Sequence, residues 1–141
     1  MAMARLLCLI GGAAGYYLAV ARPRRRLRRR LLARPRLTPG EFYERYYLLS
    51  DIRKESVHRA LRFIDRNTTL DAARLRPDDP LLEMVASSDA CPVDSDADAL
   101  VNAITGRFPA LGDPAGTLRT VDELIRTWDR LAPGGIGPED E

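Results

Sequence analysis

The chain has 141 residues, 45% of them hydrophobic, with 22 basic and 20 acidic side chains. This length is enough for one small domain with a packed core. Two distant cysteines, Cys8 and Cys91, and one histidine exclude a structural zinc site. The charge is uneven: ten basic residues lie at or before Arg36 and all acidic residues follow it, so residues 37–141 carry a net charge of −8. A body this acidic disfavours nucleic acid as a partner.

An apolar run at residues 6–21 is followed at once by residues 22–36, of which nine are arginine. An apolar segment leaves water, whereas a dense arginine block resists crossing a bilayer. The pair predicts a membrane anchor over residues 1–21 and a C-terminal domain in the cytoplasm, as in a single-pass inner-membrane protein. Sixteen apolar residues in a helix span roughly 24 Å, which is short of a hydrocarbon core of about 30 Å. Snorkelling of the flanking arginines or a thinner bilayer would have to cover the difference.

Three small residues lie four apart in this run, namely Gly11, Gly15 and Ala19. Such spacing lets two helices approach closely, so the run also predicts a homodimer through the transmembrane helix. A cleaved signal peptide is the alternative, because Ala19-Val20-Ala21 has the form of a cleavage site. Arginines directly after that site oppose export and favour a retained anchor.

Residues 22–37 form a basic juxtamembrane segment in this interpretation. Leu27, Leu31 and Leu32 recur at helical spacing, so the segment is expected to be partly helical and to lie along the membrane surface. Seven arginines are the predicted ligands of anionic lipid headgroups: Arg22, Arg24, Arg25, Arg26, Arg28, Arg29 and Arg30. A basic arm that binds nucleic acid is the other possibility, although the adjoining apolar run makes membrane lipid the simpler partner.

Residues 38–132 are predicted to form one all-α domain, because no alternating β-type run occurs. Thr38 and Glu41 have capping-box spacing and start a short helix that continues through Leu49. Residues 133–141 consist largely of glycine, proline and acid, and are predicted to be a disordered acidic tail.

A second helix is expected from a cap at Ser50 or Asp51 to about Arg66, with an apolar stripe at helical spacing. Residues 67–93 then read as a long connector, in which three prolines prevent long regular structure. Its leucines indicate that the connector packs onto the body.

Two more helices complete the predicted bundle. One runs over about residues 96–107, with aspartates in its first turn that suit the positive end of a helix. The last starts at Thr120, where Glu123 stands at the capping-box position, and carries apolar residues at helical spacing.

Three segments within residues 52–131 resemble the acyl carrier protein family. They are the second helix with Val57, Leu61 and Ile64, the run LDAARLRPDDPL at residues 70–81, and the run LRTVDEL at residues 118–124. The resemblance implies a small acyl-carrier-like helical bundle with a long first loop.

In that family, a serine in an Asp-Ser-Leu motif at a helix start carries 4′-phosphopantetheine. Asp94-Ser95 matches the first two positions, so the resemblance implies Ser95 as the attachment site. Asp96 stands where leucine is expected and adds negative charge beside a phosphate. The helix that follows also lacks, after Asp98, the acidic residues on which partners of that family dock.

The motifs of catalysis are missing from the sequence. There is no GxSxG, GxGxxG or P-loop pattern, and the single histidine has no motif around it. Asp94, Asp96 and Asp98 match the first three ligand positions of an EF-hand, but Ala99 and Thr105 stand where glycine and glutamate are required. No catalytic residue and no metal site are therefore predicted.

The sequence thus predicts a membrane-tethered, acyl-carrier-like interaction domain without catalytic activity, which acts through an unidentified protein partner. Two alternatives stay open. One is a working acyl carrier with phosphopantetheine on Ser95, and the other is a protein that binds lipid or nucleic acid through its basic arm.

Overall fold

Helices account for most of the residues that the computed structural model describes, which are 22–88 and 96–131. The seven α-helices of these ranges, in chain order, are α1 (Arg22–Leu32), α2 (Pro39–Tyr46), α3 (Lys54–Asn67), α4 (Leu81–Ser88), α5 (Asp96–Arg107), α6 (Pro114–Thr117) and α7 (Val121–Leu131). Two 3₁₀ turns, Ala72–Arg74 and Pro109–Leu111, lie between them. The β-structure within these ranges is limited to one isolated bridge, between Pro80 and Thr120. The prediction of an all-α body is confirmed.

The core lies between α3 and α7, which pack against each other along their apolar stripes. In α3 the stripe consists of Val57, Leu61 and Ile64, and all three side chains are buried. The only tryptophan, Trp128 of α7, contacts the rings of Phe63 and Phe108 with centroids 5.0 Å away. Because these apolar positions recur every three or four residues, each helix presents a single face to the other.

Two predicted helix starts are confirmed by their hydrogen bonds. The Thr38 hydroxyl accepts from the Glu41 amide at 3.2 Å, and the Glu41 carboxylate accepts from the Thr38 amide at 2.7 Å. Thr120 and Glu123 make the same reciprocal pair at 3.3 and 2.9 Å. Each pair satisfies amides at the first turn of a helix, which have no partner within the helix itself.

The predicted start of the second helix is wrong by a few residues. Helix α3 begins at Lys54, after Arg53, and neither Ser50 nor Asp51 caps it. The carboxylate of Asp129 in α7 contacts this end of the helix: its Oδ1 accepts from the Arg53 amide at 3.3 Å and from the Ser56 hydroxyl at 2.7 Å. Contacts from a distant part of the chain leave no local sequence signal.

Two other boundaries differ from the sequence prediction. Helix α2 ends at Tyr46, and residues 47–49 form a turn rather than its last residues. The expected connector contains helix α4, because Leu81, Met84 and Val85 recur at helical spacing and are all buried. Pro80 precedes the helix, so its missing amide interrupts none of the helical bonds.

The predicted transmembrane helix requires correction. No helix within residues 22–88 or 96–131 is long and apolar enough to cross a membrane. The longest of them, α3, has 14 residues and is charged on its outer side, whereas a span takes about 20 apolar residues. Within the described residues the predicted fold class is therefore corrected to an all-α helical bundle without a transmembrane helix, and no helix there supports the predicted single-pass inner-membrane location.

Several predictions fall on parts of the chain that the structure leaves undescribed. The apolar run, its small-residue stripe of Gly11, Gly15 and Ala19, and the alternative cleavage site lie outside the described residues. The same is true of Ser95 and of the tail at residues 133–141.

Candidate polyanion-binding surface

Helix α1 is part of the folded body, although the sequence suggested a separate membrane-surface segment. It packs against α4, with Leu31 buried in the core cluster and Leu27 half-buried beside it. These leucines are four residues apart and therefore lie on the same face of the helix. The face with Leu27 and Leu31, which was predicted to lie along the membrane surface, is thus covered by protein.

Four arginines occupy the remaining circumference of α1. Arg26, Arg28, Arg29 and Arg30 are all exposed, and none of them forms an ion pair with any residue of the described ranges. Arg22, Arg24 and Arg25 belong to the first turn of the same helix, and their side chains lie outside what the structure describes. From Arg26 onward, the exposed surface of α1 therefore presents guanidinium groups that no carboxylate of the described residues neutralises.

The end of α1 is fastened to the loop before α4 by hydrogen bonds to its carbonyl groups. Arg74 Nη1 donates to the carbonyl of Leu32 at 2.7 Å and also to the carbonyl of Arg34. These carbonyls have no partner within the helix, so the guanidinium acts as its C-terminal cap. Leu37 N donates to the carbonyl of Ala73 at 2.8 Å and extends the attachment.

Ion pairs reinforce this attachment. Arg34 Nη1 contacts Asp79 Oδ2 at 2.5 Å, and that oxygen also accepts from the Arg76 amide at 2.7 Å. The Asp79 side chain is only 8% exposed, so the pair is shielded from solvent on the carboxylate side. Arg36 contacts Asp71 at 3.3 Å. The arginine block is therefore divided: Arg34 and Arg36, after the helix, hold it in place, whereas Arg26, Arg28, Arg29 and Arg30 face outwards.

A polar cleft of about 510 Å³ separates the segment after α1 from the end of α2 and the start of α7. The Tyr47 hydroxyl in it donates to Asp122 Oδ1 at 2.6 Å, and Arg126 Nε donates to Asp122 Oδ2 at 2.7 Å. Burial and the bond to Asp122 raise the pKa of the Tyr47 phenol, so it stays protonated. The residues that line the cleft are Arg34, Tyr46, Tyr47, Arg76, Pro77, Asp78, Asp79, Asp122 and Arg126. Most of these charges are already paired with each other.

The histidine lies on α3 beside a smaller pocket of about 160 Å³. Its Nε2 is buried without a hydrogen-bond partner. Burial and the neighbouring Lys54 lower the pKa of His58, which keeps the imidazole neutral. Leu37, Leu61 and Ala73 line the pocket around it. In the described part of the chain, no group of three His, Cys, Asp or Glu side chains could hold a metal ion.

The predicted attachment serine, Ser95, lies outside the described residues. In the sequence it directly precedes Asp96, the first residue at which helix α5 is described. The Asp96 carboxylate turns to the loop after α3, where Oδ2 accepts from the Thr69 amide at 2.8 Å and from its hydroxyl at 2.6 Å. These bonds hold the pKa of Asp96 below its ordinary value.

Comparison with known proteins adds no assignment, since no protein family, curated protein or solved structure matches the chain. The likeness to acyl carrier proteins stays a prediction that depends on the short runs given above.

Sequence reasoning identified the arginines but missed the residues that present them. Asp71, Arg74 and Asp79 hold the end of α1, and the signal for them was weak. Acidic residues recur through residues 71–79 in the connector, opposite in charge to the arginine block. That complementarity could have suggested a contact between the two segments.

Proposed function

We propose that this protein is a non-catalytic helical interaction domain that binds a polyanionic surface through the exposed arginines of α1. The observation that carries the proposal is the row Arg26, Arg28, Arg29 and Arg30, exposed on a helix whose leucine face is packed into the body. Guanidinium groups bind phosphate and carboxylate oxygens with paired hydrogen bonds.

The arrangement works against the stability of the isolated helix. Arg26 and Arg30 are four residues apart, and such like-charged pairs destabilise a helix by about 0.2–0.5 kcal/mol each. Structural ion pairs are formed elsewhere in the molecule, at Arg34, Arg36 and Arg74. A polyanion bound along α1 would remove the repulsion that the fold leaves uncompensated.

Charge asymmetry supports a single orientation of binding. Residues 37–141 carry a net charge of −8, so the rest of the body repels the same polyanion that α1 attracts. The domain would therefore approach with α1 leading.

Retention of the full chain on heparin-agarose tests the proposal. The variant R26Q/R28Q/R29Q/R30Q should elute at a markedly lower salt concentration, because each lost contact removes one released counterion. The matched control is R45Q/R66Q/R119Q/R130Q, which removes the same charge from exposed arginines that form no ion pair with another described residue. If the two variants elute together, net charge alone governs retention and the proposal fails.

An acyl carrier with its prosthetic group on Ser95 is a second candidate. Its support is the start of α5 at Asp96, because backbone amides at a helix N-terminus favour a phosphodiester. The bonds between Asp96 and Thr69 also direct that carboxylate toward the loop after α3. Incubation with coenzyme A and a phosphopantetheinyl transferase should add one phosphopantetheine by intact mass, and Ser95→Ala should abolish the gain. An unchanged mass would rule out this candidate for the transferase used.

A further inference from the structure

The turn that follows α2 exposes apolar side chains to solvent. Leu49 is 100% exposed and Leu48 is 59% exposed. Because neither side chain belongs to the core, a polar residue at either position would cost no core packing. Leu32, at the last position of α1, is 55% exposed. Single exposed leucines are common, but two consecutive ones at the tip of a turn are unfavourable unless something covers them.

These leucines lie close in sequence to residues that border one cleft. Arg34, two residues after Leu32, and Tyr46, two residues before Leu48, both line the cleft described above. Tyr46 is itself partly exposed. The segment after α1 and the residues that lead into the turn at 47–49 thus border the same cleft, and an exposed leucine lies within two residues of it in sequence on each side.

We infer that the polyanionic partner of α1 is the surface of an anionic phospholipid bilayer, with Leu48 and Leu49 entering the boundary between headgroups and acyl chains. The inference rests on the proposed function and names its partner. Anionic headgroups complement the arginines of α1, and the acyl boundary is where leucine and tyrosine side chains are favoured. A nucleic acid would satisfy the arginines equally but would leave the leucine turn in water.

Flotation of the full chain with vesicles tests the inference. The probes are vesicles of equimolar phosphatidylglycerol and phosphatidylcholine, and vesicles of phosphatidylcholine alone. The key variant is L48S/L49S, and the control is L131S, which changes an exposed leucine beyond Arg126, the last residue of α7 that lines the cleft. All variants retain residues 1–21, so differences among them report the substituted side chains.

We expect the parent chain to prefer the anionic vesicles and to lose that preference at high salt. L48S/L49S should lower the partition coefficient by at least about tenfold, because two leucines no longer enter the bilayer. L131S should bind as the parent does. Retention of L48S/L49S on heparin should match the parent, which shows that its arginine surface and fold are intact.

Two results would overturn the inference while leaving the proposed function standing. One is vesicle binding by L48S/L49S as tight as that of the parent. The other is tighter binding of the parent to duplex DNA than to the anionic vesicles at equal salt. The proposed function fails by a different result, namely heparin retention that does not depend on Arg26, Arg28, Arg29 and Arg30.

Discussion

Leu31 and Leu32 are neighbours at the end of α1, and substitution of each by alanine should have very different effects. Leu31 is 3% exposed and belongs to the buried core cluster, whereas Leu32 points largely into solvent. Leu31→Ala should therefore destabilise the fold, and Leu32→Ala should leave it nearly unchanged. The pair is closely matched because the two substitutions remove the same atoms from adjacent residues of the same helix.

The magnitude follows from burial. Removing the buried carbons of Leu31 forfeits about 0.8 kcal/mol for each CH₂ group, and the cavity left behind adds to this loss. Because α1 lies at the edge of the body and can settle inwards, we expect about 2–3 kcal/mol for Leu31→Ala, near the lower end for such changes. For a domain of this size the corresponding fall in Tm is roughly 10 °C or more. Leu32→Ala should stay within about 0.5 kcal/mol.

Urea denaturation, followed by two spectroscopic probes, measures the free energy of unfolding of both variants. Trp128 is the single tryptophan and is buried between α3 and α7, so its fluorescence reports the core. Far-ultraviolet circular dichroism reports all helices, including α1. In a cooperative unit the two transitions coincide and shift together in Leu31→Ala.

Equal stability of the two variants would refute the burial argument. A loss of helical signal in Leu31→Ala without any shift of the Trp128 transition would show that α1 detaches by itself, and would contradict its place in the core.

Two further predictions concern single carboxylates. Asp79→Asn should lower the free energy of unfolding by about 1–2 kcal/mol, because the buried acceptor of two hydrogen bonds loses its charge. The control is Asp78→Asn at an exposed position, which should change the free energy of unfolding by less than about 0.5 kcal/mol in the same urea titration. Although burial raises the pKa of Asp129, hydrogen bonds from Ser56 and Arg53 together hold it below its ordinary value. The folded state thus binds this proton less readily than the unfolded chain, so the stability it contributes is present above about pH 4 and is lost as pH falls through the lowered pKa. As the pH is lowered from neutral into the acid range, the urea midpoint of Asp129→Asn should fall less steeply than that of the parent chain. Equal slopes for the two proteins would contradict the contribution of the ionised Asp129 carboxylate to stability.

Much of the fold could be predicted from local sequence patterns. The capping boxes at Thr38 and Thr120 and the stripe of α7 set the starts of two helices, and α5 has the predicted bounds. Helix α4 was missed because three prolines in the surrounding residues 67–93 suggested irregular structure throughout. A proline disrupts only the interior of a helix, and Pro80 stands just outside α4.

Only part of the candidate site could be predicted from the sequence. Arginine density marked the binding residues, but no periodicity separates Arg34, which holds Asp79, from Arg30, which faces solvent. The exposed turn at Leu48 and Leu49 was predicted as the end of a helix. Helix α2 ends earlier, where Tyr47 turns inward to Asp122 of α7, a residue 75 positions away.

By itself, the sequence determined the charge asymmetry, the helical class and the starts of α2, α5 and α7, because these depend on side chains within a few residues of one another. The tertiary structure decided which arginines hold the fold and which ones face outwards, and which of Leu31 and Leu32 is buried. It also places the start of α3 after Arg53, where the carboxylate of Asp129 accepts from the Arg53 amide from another helix. These features depend on packing between distant segments, so the local sequence pattern does not predict them.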